Sequence, residues 1–200
     1  MRLFNQIKNN EFKLNEVNLD SIKEAYPIYW NFIFNLLIGK NPDHYYRQNN
    51  QKIDLISQFL RGKFPKQIKP LYRGILLDPS EIINKKVKGI EKITFVSFSE
   101  DKRIALAFAD TKNNISRYAM QTNPKQKGYL ITKSSYNPSE LIFHYEWLFD
   151  TRLITNFKNK LGDEASFIEL QKEVVLKPES EYSVEEVAPG ISNNLHVGNE

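Results

Sequence analysis

The sequence predicts an α+β fold, with helices first and then a mostly antiparallel core of two β-sheets. Two observations carry this. Before Pro70, apolar residues recur at helical spacing; after it, short runs rich in β-branched and aromatic residues are separated by turn residues. Thirteen Phe, ten Tyr and two Trp in 200 residues supply enough apolar material for one domain over 1–200. We divide it into a helical part at 1–70, a β core at 71–187 and a tail at 188–200.

In the helical part, Asp20 reads as the cap of a helix from Ser21, with Glu24 early in it. Ile22, Ala25, Tyr26, Tyr29, Ile33, Leu36 and Leu37 form its stripe. Pro27 is expected to kink this helix or divide it, and Gly39 and Asn41-Pro42 to stop it. A second helix is expected from Gln51 to Leu60, with Ile53, Ile56, Phe59 and Leu60 on one face and Gly62 at its end.

In the β core, Leu71 to Leu77 reads as a strand, closed by the turn Asp78-Pro79-Ser80, with a short helix or loop from Glu81. Ile93 to Phe98 reads as a strand. Ser99 is expected to cap the next helix, with Glu100 and Asp101 in a first turn whose dipole favours acids. Ile104, Leu106, Ala107, Phe108 and Ala109 supply its packed part. Tyr129 to Thr132 reads as a strand and the aromatic-rich Ser139 to Phe149 as a helix. Glu169 to Leu176 and Tyr182 to Val187 read as strands, and the last dozen residues as a loose tail.

The net charge is +4 and the pI near 9.0. Leu55 to Leu77 contains no acid but holds Arg61, Lys63, Lys66, Lys69 and Arg73; a second basic run holds Lys85, Lys86, Lys88 and Lys92. Each run is either a solvated surface or a face for phosphate-bearing ligands or an acidic partner. The absence of cysteine excludes disulfides, thiolate nucleophiles and zinc–thiolate sites. It also fits a reducing compartment. The first ten residues carry no apolar run like a signal peptide, and Ile28 to Ile38 is too short to span a bilayer. A cytoplasmic protein without a membrane partner is expected. His44, His144 and His196 lack metal-ligand spacing, so no metal is expected. Tyr145-Glu146-Trp147 and its neighbours read as packing.

Three separated pieces carry chemistry. In a strand, Gln171 and Glu173 share one face. A carboxylate there suits cleavage of a glycosidic bond through an oxocarbenium-like state, although a lone strand Glu is more often a surface residue. Ser97 offers a hydroxyl that can donate to a carboxylate and fix its direction. Ser99 lies on the same side, beyond Phe98. Arg73 offers a fork that binds phosphate oxygens bidentately; a lone strand Arg is otherwise solvated or paired. Gly74 beside it would let a ligand approach the backbone. No phosphate-binding glycine loop and no Ser-His-Asp order with its elbow is present.

These pieces, Leu71-Tyr72-Arg73-Gly74, Phe95-Val96-Ser97-Phe98-Ser99 and Gln171-Lys172-Glu173-Val174-Val175-Leu176, resemble the signature of mono-ADP-ribosyltransferases of the Arg–Ser–Glu class. The strand at Ser97 followed by Ala105, Phe108 and Ala109 is similar to the family's strand and helix. Size and helical start are similar to the small transferases of T-even-type phages. Gln two places before the catalytic Glu is similar to the clostridial Rho-modifying exoenzymes. The match covers Leu71 to Val187. It implies an ADP-ribosyltransferase core of two packed sheets with NAD in the cleft between them. Glu173 would activate the nicotinamide ribose, Ser97 would position Glu173, and Gln171 would help present the acceptor. Arg73, Gly74, Tyr72, Ser97 and Ser99 would line the NAD site, and the loop at Asp163 to Leu170 would recognise the acceptor. The implied partner is a macromolecule, a host protein before a nucleic acid. Arginine-specific members carry Glu where Gln171 stands, so an acceptor other than arginine is expected. An NAD glycohydrolase, or a non-catalytic adaptor binding a host protein through the basic face, are the alternatives.

Overall fold

A computed structural model describes residues 19–37, 42–88, 95–112, 125–147, 168–177 and 181–192. Among the described residues two helices come first, α1 (Leu19–Leu37) and α2 (Pro42–Lys63). Helix α1 runs unbroken through Pro27, which lies on its exposed side. Burial of Ile22, Ala25, Tyr29, Trp30, Phe32 and Ile33 holds the helix across the missing N–H bond. Asp20 lies in its first turn, not at its cap. Helix α2 is longer than its apolar stripe suggested. Pro42 begins it, because the first helical residue needs no N–H partner. Gly62 lies inside α2, one residue before its end. Gly39 and Asn41 fall outside the described residues.

The strands are β1 (Leu71–Leu77), β2 (Ile82–Ile83), β3 (Lys86–Val87), β4 (Val96–Ser99), β5 (Lys127–Lys133), β6 (Leu141–His144), β7 (Glu173–Leu176) and β8 (Ser183–Val187). Helix α3 (Lys102–Ala109) follows β4. Six strands form one antiparallel sheet in the order β6-β7-β4-β1-β5-β8. The second sheet is only the hairpin β2–β3, turned by Asn84 and Lys85 at φ 51 and 60. The fold is therefore α+β with an antiparallel sheet, as expected, but six strands are continuous where two sheets were expected. Continuity hangs on one residue pair. Among the described residues, strands β1 and β4 pair only at Tyr72 opposite Ser99, whereas β1 pairs with β5 along all of Leu71 to Leu77. The sheet is thus two three-stranded ladders, β6-β7-β4 and β1-β5-β8, sharing a narrow seam.

Three further expectations are corrected. Leu141 to Glu146 is not helical as expected of Ser139 to Phe149: a short 3-10 turn at Pro138–Glu140 leads into β6, the chain is helical only at Trp147, and 148–149 lie outside the described residues. Every residue of β6 is buried, and a short run without polar alternation looks alike as strand or helix. What decides it is pairing with β7, Leu141 opposite Leu176 and His144 opposite Val174. The outer edge of β6 is covered by the helices. Arg61 Nη1 donates to the Leu141 carbonyl at 2.7 Å, and the Tyr29 hydroxyl to that of Ile142 at 2.7 Å.

Second, Ser99 does not cap α3. Asp101 does, accepting from the Arg103 N–H at 3.0 Å, so Glu100 and Asp101 precede the helix. Third, the chain just before 193 is not loose. The Gly190 and Ser192 amides donate to the buried Asp110 carboxylate at 2.8 and 3.0 Å. Residues 193–200 and the strand start at Ile93 lie outside the described residues. No helix among the described residues is long and apolar enough to cross a membrane.

Candidate functional site

Arg73, Ser97 and Glu173 stand on β1, β4 and β7, three neighbouring strands. Register explains the meeting of Ser97 and Glu173. Ser99 lies opposite Glu173 and Ser97 opposite Val175, so Ser97, Ser99, Glu173 and Val175 share one face. The Ser97 hydroxyl donates to Glu173 Oε1. Past Tyr72 and Ser99 the β1–β4 ladder stops, and Arg73 Nη1 donates to the Ser97 carbonyl at 2.8 Å. One serine thus holds the carboxylate by its side chain and the guanidinium by its backbone.

The electrostatics follow from depth. Burial penalises the charged form of Glu173 and raises its pKa to about 7, against the opposing Ser97 hydrogen bond and Arg73 charge. Burial also lowers the pKa of Arg73, partly offset by Glu173. Both residues keep some solvent access. A carboxylate poised near neutrality beside a fixed cation can meet a developing positive charge when ionised.

The other candidate residues fall elsewhere. Gln171 does not continue β7: Gln171 and Lys172 form a turn, with Lys172 at φ 47, and the strand begins at Glu173. Gln171 and Glu173 therefore do not alternate along one strand as expected. Their link is through the backbone. Ser99 Oγ donates to the Gln171 carbonyl at 2.7 Å and accepts from the Asp101 N–H at 2.9 Å, so its hydroxyl shapes the turn.

Tyr72 and Gly74 lie on the face of β1 opposite Arg73. Tyr72 packs with Leu106 and Ile191 around Ala105, Ala109, Leu130 and Val187. A side-chain carbon at Gly74 would overlap the Ala105 carbonyl oxygen, and one at Gly128 that of Ala109. Gly74 therefore seats the α3 backbone on the sheet, and the expected ligand approach is not what requires it. The acceptor loop is described only from Ile168; Leu170 is 69% exposed, and 163–167 lie outside the described residues.

The acid-free basic run is largely committed. Arg61 bonds Leu141, Lys66 pairs with Glu146 at 2.8 Å and Lys69 with Glu100 at 3.4 Å. Lys63 lies over the rings of Phe59 and Phe64. Lys85, Lys86 and Lys88 are exposed around the β2–β3 hairpin, and Lys92 lies outside the described residues.

Sequence reasoning missed one cluster, Glu100 with His144 and Tyr145, directly behind the turn. His144 Nε2 lies 3.1 Å from Glu100 Oε1, and both side chains are buried. Nothing in their spacing could have joined residues 44 apart. Trp147 does pack, buried with its Nε1 on the Phe64 carbonyl. Among the described residues, no group of three or more His, Asp and Glu could hold a metal ion. The chain matches no protein-family model, no curated protein and no solved structure.

Proposed function

We propose that this chain is an NAD-dependent mono-ADP-ribosyltransferase. It transfers ADP-ribose to a macromolecular acceptor, a host protein in the first instance, and releases nicotinamide. The observation that carries this is the Ser97 hydroxyl on the Glu173 carboxylate, with Arg73 held on the same serine. The seam at Tyr72 and Ser99 supports taking the two ladders as the paired sheets of such a core, with the site beside it.

In this reaction ionised Glu173 accepts a hydrogen bond from the nicotinamide ribose and stabilises positive charge on it as the C–N bond breaks. Arg73 spends one nitrogen on Ser97, and its remaining donors suit a pyrophosphate. The acceptor nucleophile then attacks the sugar carbon and loses its proton. The pairing of Lys66 and Lys69 argues against an adaptor acting through that basic run.

Incubation with NAD labelled in the adenylate part and a cell lysate tests the proposal. Label on protein supports transfer, and label removed by nuclease instead of protease moves the acceptor to nucleic acid. Nicotinamide release without label means hydrolysis. No release at all refutes the proposal.

A further inference from the structure

We infer that Glu100, His144 and Tyr145 form a positioning unit that holds the start of β7, and with it the Glu173 carboxylate, in place against Ser97. Its effect on turnover rests on the proposed NAD cleavage; its effect on the backbone does not. Three successive carbonyls show the hold. That of Gln171 accepts from Ser99 Oγ at 2.7 Å, that of Lys172 from the Glu100 N–H at 3.2 Å, and that of Glu173 from the Tyr145 N–H at 2.9 Å. Between them Lys172 keeps φ 47, a conformation unfavourable for a residue with a side chain. Such strain persists only where the surroundings over-determine it.

The side chains of residues 100 and 145 tie these backbone donors together. The Glu100 carboxylate lies 3.1 Å from His144 Nε2 and accepts from Lys69 Nζ at 3.4 Å, and the Tyr145 hydroxyl lies between it and Glu146 Oε1, at 3.4 and 3.2 Å. His144 Nδ1 accepts from the Glu146 N–H at 3.2 Å, which leaves the proton on Nε2, facing Glu100. The Tyr145 ring stacks on the imidazole, with centroids 4.8 Å apart. Burial disfavours ionised Glu100, but His144 and Lys69 more than offset it and hold its pKa below the usual value. Apolar side chains could fill this space without desolvating an acid and a base. The polar arrangement instead links the ends of β4 and β6 to the turn before Glu173.

Glu100→Gln and Tyr145→Phe test this, because both keep the backbone donors and change side-chain contacts alone, Tyr145→Phe losing its contacts to both Glu100 and Glu146. Amide exchange at residues 100 and 145 should quicken by about tenfold or more in Glu100→Gln, while the core amide of Ile56 is unchanged. Turnover of NAD should fall roughly 10- to 100-fold with KM for NAD within about twofold. Tyr145→Phe should move both readouts the same way by about threefold. It carries the test if Glu100→Gln does not fold. Unchanged amide exchange, or faster exchange with unchanged kcat, overturns the inference, as does a loss confined to KM. A wild type that never cleaves NAD refutes the proposed function; exchange alone then decides whether the turn is held from behind.

Discussion

The Ser97 hydroxyl reaches the Glu173 carboxylate diagonally across the β4–β7 ladder, since Ser97 pairs with Val175 and Glu173 with Ser99. Glu173→Gln keeps an acceptor for this hydroxyl but cannot carry charge. Turnover of NAD should drop by about a hundredfold or more, with NAD affinity nearly intact. Isothermal titration and single-turnover kinetics check it. A variant keeping more than about a tenth of the wild-type rate would remove Glu173 from the chemistry.

The same carboxylate predicts opposite pH trends for activity and stability. Glu173 has a folded pKa of about 7, above the 4.5 of a free side chain. Turnover requires the ionised form, so it should rise with pH through about 7. The stability attached to the protonated group is fully present below about 4.5 and lost as pH rises through 7. Glu173→Gln should therefore gain on the wild type as pH rises, by about 1–2 kcal/mol above pH 8 after allowing for solvent access. Urea melts at pH 5 and pH 8.5 check this. A variant less stable than wild type at the higher pH would contradict the buried-charge account.

Arg73→Lys replaces a fork by a point charge. The Ser97 carbonyl and a pyrophosphate cannot then both be served as before. KM for NAD should rise about tenfold or more, with a smaller loss in kcat. Steady-state kinetics decide it; a change confined to kcat would place Arg73 away from the phosphates.

Gly74→Ala tests the seating of α3. The added methyl meets the Ala105 carbonyl, which belongs to a helix backbone and cannot swing aside. Overpacking of this kind should cost roughly 3 kcal/mol. Thermal unfolding checks it. A loss of NAD affinity at unchanged stability would restore the ligand-approach role for this glycine.

Gln171→Ala keeps the carbonyl that Ser99 holds, so fold and NAD cleavage should survive. Transfer to the acceptor should fall by about tenfold if the half-exposed Gln171 presents the acceptor. Parallel assays of nicotinamide release and label transfer separate the two. Equal losses in both would tie Gln171 to the chemistry itself. The neutral amide also predicts a modified residue other than arginine; mass spectrometry of the labelled acceptor tests that.

By itself the sequence determined what local periodicity can encode. The stripe from Ile22 to Leu36 marked α1, the run Leu71 to Leu77 marked β1, and Ser97, Phe98 and Ser99 showed which hydroxyls share a face. Residue chemistry singled out Arg73, Ser97 and Glu173, and the tertiary structure brings these three together. Tertiary structure alone decided what depends on distant segments. Leu141 to His144 is a strand because β7 pairs with it, and Gln171 leaves the strand because residues 99, 100 and 145 bend the chain before Glu173. Gly74 is required by the backbone of a distant helix, at Ala105 and Ala109. His144 became a partner of Glu100 only when β4 and β6 were placed on either side of β7. Local propensity cannot encode such choices, because the free energy that settles them lies in burial and hydrogen bonds between segments far apart in the chain.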